Sequence, residues 1–222
     1  MFRAIVFDFD GTLVDSNTIK VSCMHDTVAG FPGGREALQK ALDLGGDRYR
    51  LFAVVARQLD PRGDQAEVNR RGYQLAMDYG RRCARAIAAA PERRGARSVL
   101  AASKRRGLKL YVNSATPRRD ILGLLRTRGI AGHLNGTLGA PTSKTDNLRR
   151  LMKSERLSAR QVVVVGDSMD DLTSARAVGA WFVAVTVEPR IRERVAYGIK
   201  DLNLLLPLLD RLARRPIART NR

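Results

Sequence analysis

Two aspartates separated by a single residue stand directly after an apolar run near the start of the chain. Residues 8–12 read Asp-Phe-Asp-Gly-Thr. Because side chains alternate along an extended backbone, we expect Asp8 and Asp10 on one side and Phe9 on the other. Two converging carboxylates repel each other unless a cation or a proton lies between them. The pair therefore indicates a site that binds a cation or shares a proton.

Further polar residues follow three later apolar runs. Ser114 follows the second run, Lys144 comes shortly after the third, and Asp167 and Asp171 follow the fourth. More carboxylates beside Asp8 would favour Mg²⁺, which prefers oxygen ligands and fills its remaining positions with water and phosphate oxygens. The Ser114 hydroxyl and the Lys144 ammonium are donors suited to the charged oxygens of a phosphoryl group. Together these groups predict phosphoryl transfer.

Five buried strands are predicted to position these residues, because each is apolar, rich in branched side chains and ended by turn-forming residues. They are residues 2–7, 108–112, 134–138, 162–165 and 181–187. An apolar run without alternation is typical of a strand covered on both faces, as in parallel sheets. Helical patterns between the later strands predict a doubly wound α/β fold. Ligands bind such sheets beyond the carboxyl ends of strands, where the polar residues stand.

The interval between the first and second predicted strands is too long for one strand–helix–strand unit. Helical patterns fill it, at residues 16–28, 35–42, 48–59 and 64–90, and a further helix is expected at 92–106. We therefore predict a catalytic core formed by residues 1–15 and 91–222, with an inserted helical cap at 16–90. A cap of this kind closes over a site, excludes water and contacts the substrate.

Residues 30–35 of the predicted cap, Gly-Phe-Pro-Gly-Gly-Arg, form a candidate specificity loop, since glycines let the backbone approach a ligand. Arg35 or Arg48 is a candidate to pair with a substrate carboxylate or a second phosphate. Most arginines in so basic a chain are simply solvated, so this assignment depends on where the two side chains lie.

The motifs at residues 8–12, Ser114, Lys144 and residues 166–171 occur in the order found in the haloacid dehalogenase (HAD) superfamily. The chain resembles hydrolases of its phosphoglycolate-phosphatase-like group, with a helical (C1-type) cap in the place of residues 16–90. The resemblance spans almost the whole chain. It implies a mostly parallel, five-stranded Rossmannoid core with the strand order 5-4-1-2-3.

The resemblance also implies roles for the acids. Asp8 would be the nucleophile that forms an aspartyl-phosphate, and Asp10 would protonate the leaving alcohol and then take a proton from water. Mg²⁺ would be held by Asp8, by the backbone carbonyl of Asp10 and by Asp167. Asp171 would lie behind these ligands and orient water or Lys144.

By the same resemblance, Ser114, Lys144 and the backbone N–H of Ala115 would bind the transferring phosphate. Two residues depart from the family pattern. Ala115 stands where asparagine is common, and Thr145 follows Lys144 where proline is usual. Both departures concern the exact subgroup more than the catalytic assignment.

The charge balance leaves more than one function class open. Lys and Arg number 40 against 22 Asp and Glu, which gives a net charge of +18. Such a field favours anionic ligands. The leading prediction is a phosphatase of a small phosphorylated metabolite, such as a phosphoglycolate-like compound or a sugar phosphate. The alternatives are a phosphomutase of the same superfamily and a nucleic-acid-associated end phosphatase or binding protein. Nucleic acid is the less favoured partner, because the basic residues are scattered without interleaved aromatics.

The remaining features indicate a cytoplasmic protein. No apolar run is long enough to span a membrane, and residues 1–9 lack the uninterrupted apolar stretch of a signal peptide. Cys23 and Cys83 fit no metal-binding or redox motif, so two free thiols are expected. A monomer and a homodimer are equally compatible with the sequence.

Overall fold

The computed structural model describes residues 1–185 and 189–214. The chain divides into two compact units. The core unit consists of Met1–Asp15 together with the chain from Pro91 onward, and the helical unit is Ser16–Ala90. Each unit has its own buried apolar side chains and is described separately below.

A single parallel sheet forms the centre of the core unit. Its strands are β1 (Ala4–Phe7), β2 (Lys109–Pro117), β3 (Gly136–Ala140), β4 (Val162–Gly166), β5 (Trp181–Val185) and β6 (Gly198–Ile199). They lie in the order β3-β2-β1-β4-β5-β6, and every neighbouring pair is parallel. The α/β class and the 5-4-1-2-3 order of the first five strands are confirmed. The prediction of five strands is wrong, since two-residue β6 is too short to show any hydrophobic period.

The strand boundaries differ from the predicted ones mainly at the polar ends. β2 continues to Pro117, beyond the apolar residues that predicted it, because its backbone keeps pairing with β3 across an irregularity between Asn113 and Pro117. The last two positions of the predicted strand 181–187 lie outside the described residues. The central strands β1 and β4 are buried along their whole length, as continuous apolar runs require.

Four helices form the helical unit: α1 (Asn17–Val28), α2 (Gly34–Leu44), α3 (Arg48–Leu59) and α4 (Gln65–Ala89). Asp64 begins α4 by accepting hydrogen bonds from two backbone N–H groups of its first turn. Phe52 of α3 packs on Tyr79 of α4, with ring centroids 5.4 Å apart. Cys23 and Cys83 are both buried here as free thiols. Burial raises the pKa of the Cys83 thiol to about 12, which keeps it protonated.

The described part of the core unit contains six further α-helices: α5 (Ala96–Arg105), α6 (Arg118–Thr127), α7 (Lys144–Ser154), α8 (Met169–Ala177), α9 (Pro189–Arg192) and α10 (Leu205–Ala213). The predicted helix at 92–106 starts only at Ala96. Glu92 is extended because it forms an antiparallel bridge with Val14, and Arg93 N–H donates to the Leu13 carbonyl. Every helix in residues 1–185 and 189–214 is too short or too polar to cross a membrane.

Candidate active site

The first polar residues stand where β1 ends. The Asp8 N–H donates to the Val165 carbonyl at 2.8 Å, which continues the β1–β4 pairing by one residue. The chain then turns tightly: Leu13 and Val14 N–H both donate to the Phe9 carbonyl at 3.0 Å. Gly11 supplies the positive φ of 77° that this turn needs. Asp8 is therefore held on rigid backbone at the carboxyl edge of the sheet.

Lys144 reaches this edge from the first turn of α7. Ser143 caps that helix by accepting from the Asp146 N–H. The Lys144 side chain is only 6% exposed, and its Nζ lies 2.8 Å from Asp8 Oδ1 and 2.7 Å from Asp171 Oδ1. A buried ammonium between two carboxylates can be stable only with such close partners. The Lys144 ammonium thus connects the start of α7 with the residue after β1 and with the start of α8.

Asp171 is the second partner of Lys144 and lies in the first turn of α8. Its Oδ2 accepts hydrogen bonds from the Ser168 hydroxyl at 2.5 Å and from the Ser168 N–H at 3.2 Å, which caps the helix. Gly166 makes this approach possible, because a Cβ at that position would stand 2.4 Å from Asp171 Cγ. Asp171 therefore uses Oδ2 to cap α8 and Oδ1 to contact Lys144. Because the cap fixes the carboxylate, the contact also fixes the position of the Lys144 ammonium.

Asp167 completes a cluster of acids. One carboxylate oxygen from each of Asp8, Asp167 and Asp171 lies within 4.8 Å of the others. Asp167 is half-buried, and its Oδ1 accepts from the Thr12 hydroxyl at 3.1 Å. Closely spaced carboxylate oxygens are the donor set that Mg²⁺ prefers. Both oxygens of Asp171 already accept from Lys144 and Ser168, whereas Asp8 contacts Lys144 through Oδ1 alone, so Asp8 and Asp167 are the better candidates to hold an ion.

Burial and the neighbouring charges shift the pKa values of the groups in the cluster. Burial, followed by the negative charge of Asp171, raises the pKa of the Asp8 carboxyl well above its ordinary value, against the opposing effect of Lys144. Burial alone would lower the pKa of the Lys144 ammonium. The negative charges of Asp8 and Asp171 outweigh that effect and raise the pKa above its ordinary value, so the group stays charged. One ammonium does not balance three acids, and a divalent cation would supply the missing positive charge.

Asp10 is the second carboxylate of the motif at residues 8–12, and its negative charge contributes to the raised pKa of Asp8. Its Oδ2 accepts a hydrogen bond from the Thr116 hydroxyl at 3.2 Å, so β2 orients this carboxyl. The pairing of Phe7 with Val112 carries Ser114 past the end of β1 on the neighbouring strand. Ser114 is buried and its hydroxyl oxygen accepts from the Thr116 N–H at 3.1 Å, whereas Ala115 is exposed. No role for Thr116 was predicted from the sequence.

A pair of buried asparagines positions Lys144, and sequence reasoning missed both. Asn113 Nδ2 donates to the Lys144 carbonyl at 2.9 Å. Asn147 Nδ2 donates to Asn113 Oδ1 at 3.0 Å and to the carbonyls of Gly139 and Thr142 at 3.4 and 3.2 Å. These contacts tie the start of α7 to β2 and to the loop after β3. In the sequence Asn113 directly precedes Ser114, and Asn147 lies three residues after Lys144. This proximity to predicted site residues was the only sequence signal.

The two arginines proposed for specificity lie in the helical unit. Arg35 is exposed in the first turn of α2. Arg48 Nη2 donates to the Tyr49 hydroxyl at 3.1 Å, and its guanidinium carbon lies 5.0 Å from the centre of the Tyr49 ring. The same guanidinium packs against Gly80 of α4. Arg48 is therefore engaged by its own unit, while Arg35 presents its charge to solvent.

The core site thus combines a buried carboxylate, a second carboxyl from the same motif, and donors for a charged group. Asp8 and Lys144 are in contact, Asp10 accepts a hydrogen bond from Thr116, and Asp167 lies beside Asp8. A nucleophile, an acid–base group and a cation site in this proximity can carry out displacement at phosphorus.

A family model described as haloacid dehalogenase-like hydrolase matches residues 2–179. A phosphoglycolate phosphatase of Pseudomonas savastanoi pv. phaseolicola is 27% identical over 222 residues, covering 92% of this chain and 79% of that protein.

Solved structures show the same fold. A protein of Haemophilus somnus, described as a predicted phosphoglycolate phosphatase, superimposes with a TM-score of 0.77 at 19% identity, over 94% of this chain and 98% of the other. A proposed β-phosphoglucomutase of Thermotoga maritima gives a TM-score of 0.70 at 16% identity, over 95% of this chain and 100% of the other. At these identities the likeness concerns the fold alone.

Replacing Lys144 tests the charge balance of the site. In Lys144→Met, two buried carboxylates lose their cation, and we expect the free energy of unfolding in the absence of divalent ions to fall by about 3–5 kcal/mol. The loss should be smaller when Lys144→Met is made in an Asp8→Asn background, because one of the repelling charges is then gone. Urea denaturation of the four proteins of this cycle measures both effects.

The matched control is Lys109→Met, which removes a lysine from a more exposed ion pair with Glu155. That change should cost less than about 1 kcal/mol. Equal losses in Lys144→Met and Lys109→Met, or an undiminished loss in the Asp8→Asn background, would show that Lys144 does not balance the acids.

Proposed function

Because the chain belongs to the haloacid dehalogenase-like hydrolases and is a phosphatase among them, we propose that it hydrolyses a small phosphorylated metabolite through an aspartyl-phosphate on Asp8. The proposed substrate is phosphoglycolate-like or a sugar phosphate, the proposed cofactor is Mg²⁺ and the proposed compartment is the cytoplasm. One observation carries the proposal: Asp8 touches Lys144 at 2.8 Å and has Asp167 and Asp171 beside it. The Asp8 carboxylate is positioned to attack phosphorus, and the Lys144 ammonium beside it is positioned to bind the negatively charged phosphate.

In the first step an Asp8 carboxylate oxygen attacks phosphorus, and the bond from phosphorus to the substrate oxygen breaks. Asp10 gives its proton to that leaving oxygen, so an alcohol departs rather than an alkoxide. The Thr116 hydroxyl donates to Asp10 Oδ2 and so orients this carboxyl. In the proposed mechanism one acid acts as nucleophile while the other carries the proton.

In the second step water attacks the phosphorus of the aspartyl-phosphate, and Asp10 now takes a proton from that water. The bond between phosphorus and Asp8 breaks, which restores the carboxylate and releases inorganic phosphate. Asp10 ends the cycle protonated, as it began. The balanced reaction consumes one ester and one water and yields an alcohol and phosphate.

The phosphoryl oxygens require positive charge and hydrogen-bond donors during both steps. Lys144 Nζ, the Ser114 hydroxyl and the Ala115 backbone N–H are assigned to them, and exposed Ala115 suits contact with an entering phosphate. Asp171 keeps Lys144 charged and in place. Departure from the family pattern at Ala115 removes a side chain only, since the backbone donor remains.

Asp8, Asp167 and the Asp10 backbone carbonyl are the groups that would hold Mg²⁺. When bound, the ion would neutralise charge on the phosphoryl oxygens and offset the repulsion among the acids. Thr12 fixes the carboxylate of Asp167 through its hydroxyl. The same acids would also bind the ion in the absence of substrate.

The helical unit is assigned the role of cap, with the loop at residues 30–35 and Arg35 as candidates for substrate contact. Arg48 is the weaker candidate, because it is already bonded to Tyr49. Nothing specific in the site favours the phosphomutase alternative over hydrolysis. Product analysis separates the two, since a mutase returns the phosphoryl group to a sugar and releases no inorganic phosphate.

Replacing Asp8 tests the nucleophile. With Mg²⁺ and an aryl phosphate, Asp8→Asn should release phosphate on the order of a thousandfold more slowly than the unmodified protein, because the amide cannot form the acyl phosphate. Asp170→Asn, which changes an exposed acid of the same α8 turn as Asp171, is the control and should keep its activity. An Asp8→Asn protein that folds and remains active removes Asp8 from the mechanism.

Replacing Asp10 tests the proton carrier separately. An aryl phosphate with a weakly basic leaving group departs without protonation, but attack by water still needs a base. Asp10→Asn should therefore release the phenol in a rapid stoichiometric burst followed by slow turnover, as seen by stopped-flow absorbance. With an alkyl phosphate both phases should be slow. Steady turnover without a burst in the aryl assay contradicts the proposed role of Asp10.

A further inference from the structure

A cleft of about 380 Å³ lies in the core unit, at the end of the sheet opposite the acids. Arg160 precedes β4, and Trp181 is the first residue of β5, so the cleft lies at the amino ends of these strands. The acids instead follow the carboxyl ends of β1 and β4. Arg176 adds to the lining from the last turn of α8. The proposed phosphatase mechanism uses none of these residues.

Three arginines, Arg160, Arg176 and Arg194, line this cleft. All three are exposed, and within residues 1–185 and 189–214 none of them forms an ion pair with a carboxylate. Arg176 Nη2 donates to the Arg194 backbone carbonyl at 2.6 Å, which links α8 to the segment before β6. An anionic ligand in the cleft would meet three guanidinium groups, which bind phosphate oxygens through charge-assisted hydrogen bonds.

Aromatic rings form the apolar part of the same cleft. Trp181 and Tyr197 line it, with ring centroids 5.9 Å apart and planes inclined by 37°. Phe2 meets the Trp181 ring edge-on at 5.7 Å and 88°, which fixes the orientation of the indole. Both Trp181 and Tyr197 are half-buried, so part of each ring is open to a ligand. Planar groups stack on such rings, and guanidinium groups reinforce the stacking.

We propose that this cleft, lined by Arg160, Arg176, Arg194, Trp181 and Tyr197, binds an anionic small molecule that carries a planar ring, of the mononucleotide class. The arginines contact the phosphate and the rings contact the base. A volume of about 380 Å³ suits a ligand of that size, since small-molecule sites span roughly 300–1,000 Å³. The size favours a mononucleotide over an extended nucleic-acid strand.

Trp181 supplies the readout, because the chain contains a single tryptophan. AMP is titrated into the full chain while indole fluorescence is recorded, with adenosine and inorganic phosphate as the two halves of the probe. We expect saturable quenching by AMP and binding roughly tenfold or more weaker for either half, since each half loses one class of contact.

Arginine substitutions locate the binding site. Arg176→Gln and Arg194→Gln together should raise the dissociation constant for AMP by roughly tenfold or more. Arg105→Gln, an exposed arginine of α5, is the matched control and should leave it unchanged. If the double variant fails to fold, Arg160→Gln is used instead and should raise the dissociation constant for AMP at least severalfold. Ser114→Ala alters the proposed phosphatase site and should not change AMP quenching.

Three results would overturn the proposal. One is the absence of saturable quenching by AMP. Another is AMP affinity that Arg160→Gln leaves unchanged, or that Ser114→Ala reduces, which would place AMP in the acidic site. The third is tighter binding of a single-stranded oligonucleotide than of AMP, with loss of that binding in Arg160→Gln, which would make the cleft part of a nucleic-acid surface. None of these results depends on the chain being active as a phosphatase.

Discussion

The ion pairs of Lys144 with Asp8 and Asp171 are the interaction on which the rest of the site depends. An ammonium and two carboxylates are removed from water at once, and only their mutual contacts at 2.8 and 2.7 Å offset the cost of that transfer. The three residues come from the end of β1, the start of α7 and the start of α8. A small displacement of any of these elements would leave a buried charge without its partner, so the arrangement fixes all three.

Much of the surrounding structure can be understood as support for this contact. Asn113 and Asn147 tie the first residue of α7 to β2 through buried hydrogen bonds. Position 166 requires glycine, because the Asp171 side chain occupies the space that a Cβ would need. Parallel pairing of β1 with both β2 and β4 brings the residues after each strand to one edge. Thr116 on β2 orients the Asp10 carboxyl by a hydrogen bond to its Oδ2.

The sequence was sufficient for features with a local signal. Continuous apolar runs predicted the five principal strands, and polar residues after them indicated Asp8, Lys144, Asp167 and Asp171. The structure brings those four together. The roles assigned to them, and to Ser114 and Ala115, stay predictions until activity is measured.

Features that depend on tertiary pairing left no such signal. Glu92 has helical neighbours in sequence but is extended because it pairs with Val14. β6 exists only because β5 offers an edge to pair with. The Thr116–Asp10 and Asn147–Asn113 hydrogen bonds join residues far apart in the chain, and neither partner is unusual in its own segment. The packing of the Arg48 guanidinium against Gly80 of α4 also left no sequence signal, because the chain contains so many arginines.

We propose that Asp8 and Asp167 hold a divalent cation, while Asp171 keeps Lys144 in contact with Asp8. Calorimetric titration of Mg²⁺ into the metal-free protein tests it most directly, with Asp167→Asn and the exposed-acid variant Asp170→Asn alongside. We expect a single saturable Mg²⁺ site that Asp170→Asn keeps and whose affinity Asp167→Asn lowers by roughly tenfold or more, since one charged ligand is lost. Equal Mg²⁺ affinity in the unmodified protein and in Asp167→Asn would contradict it.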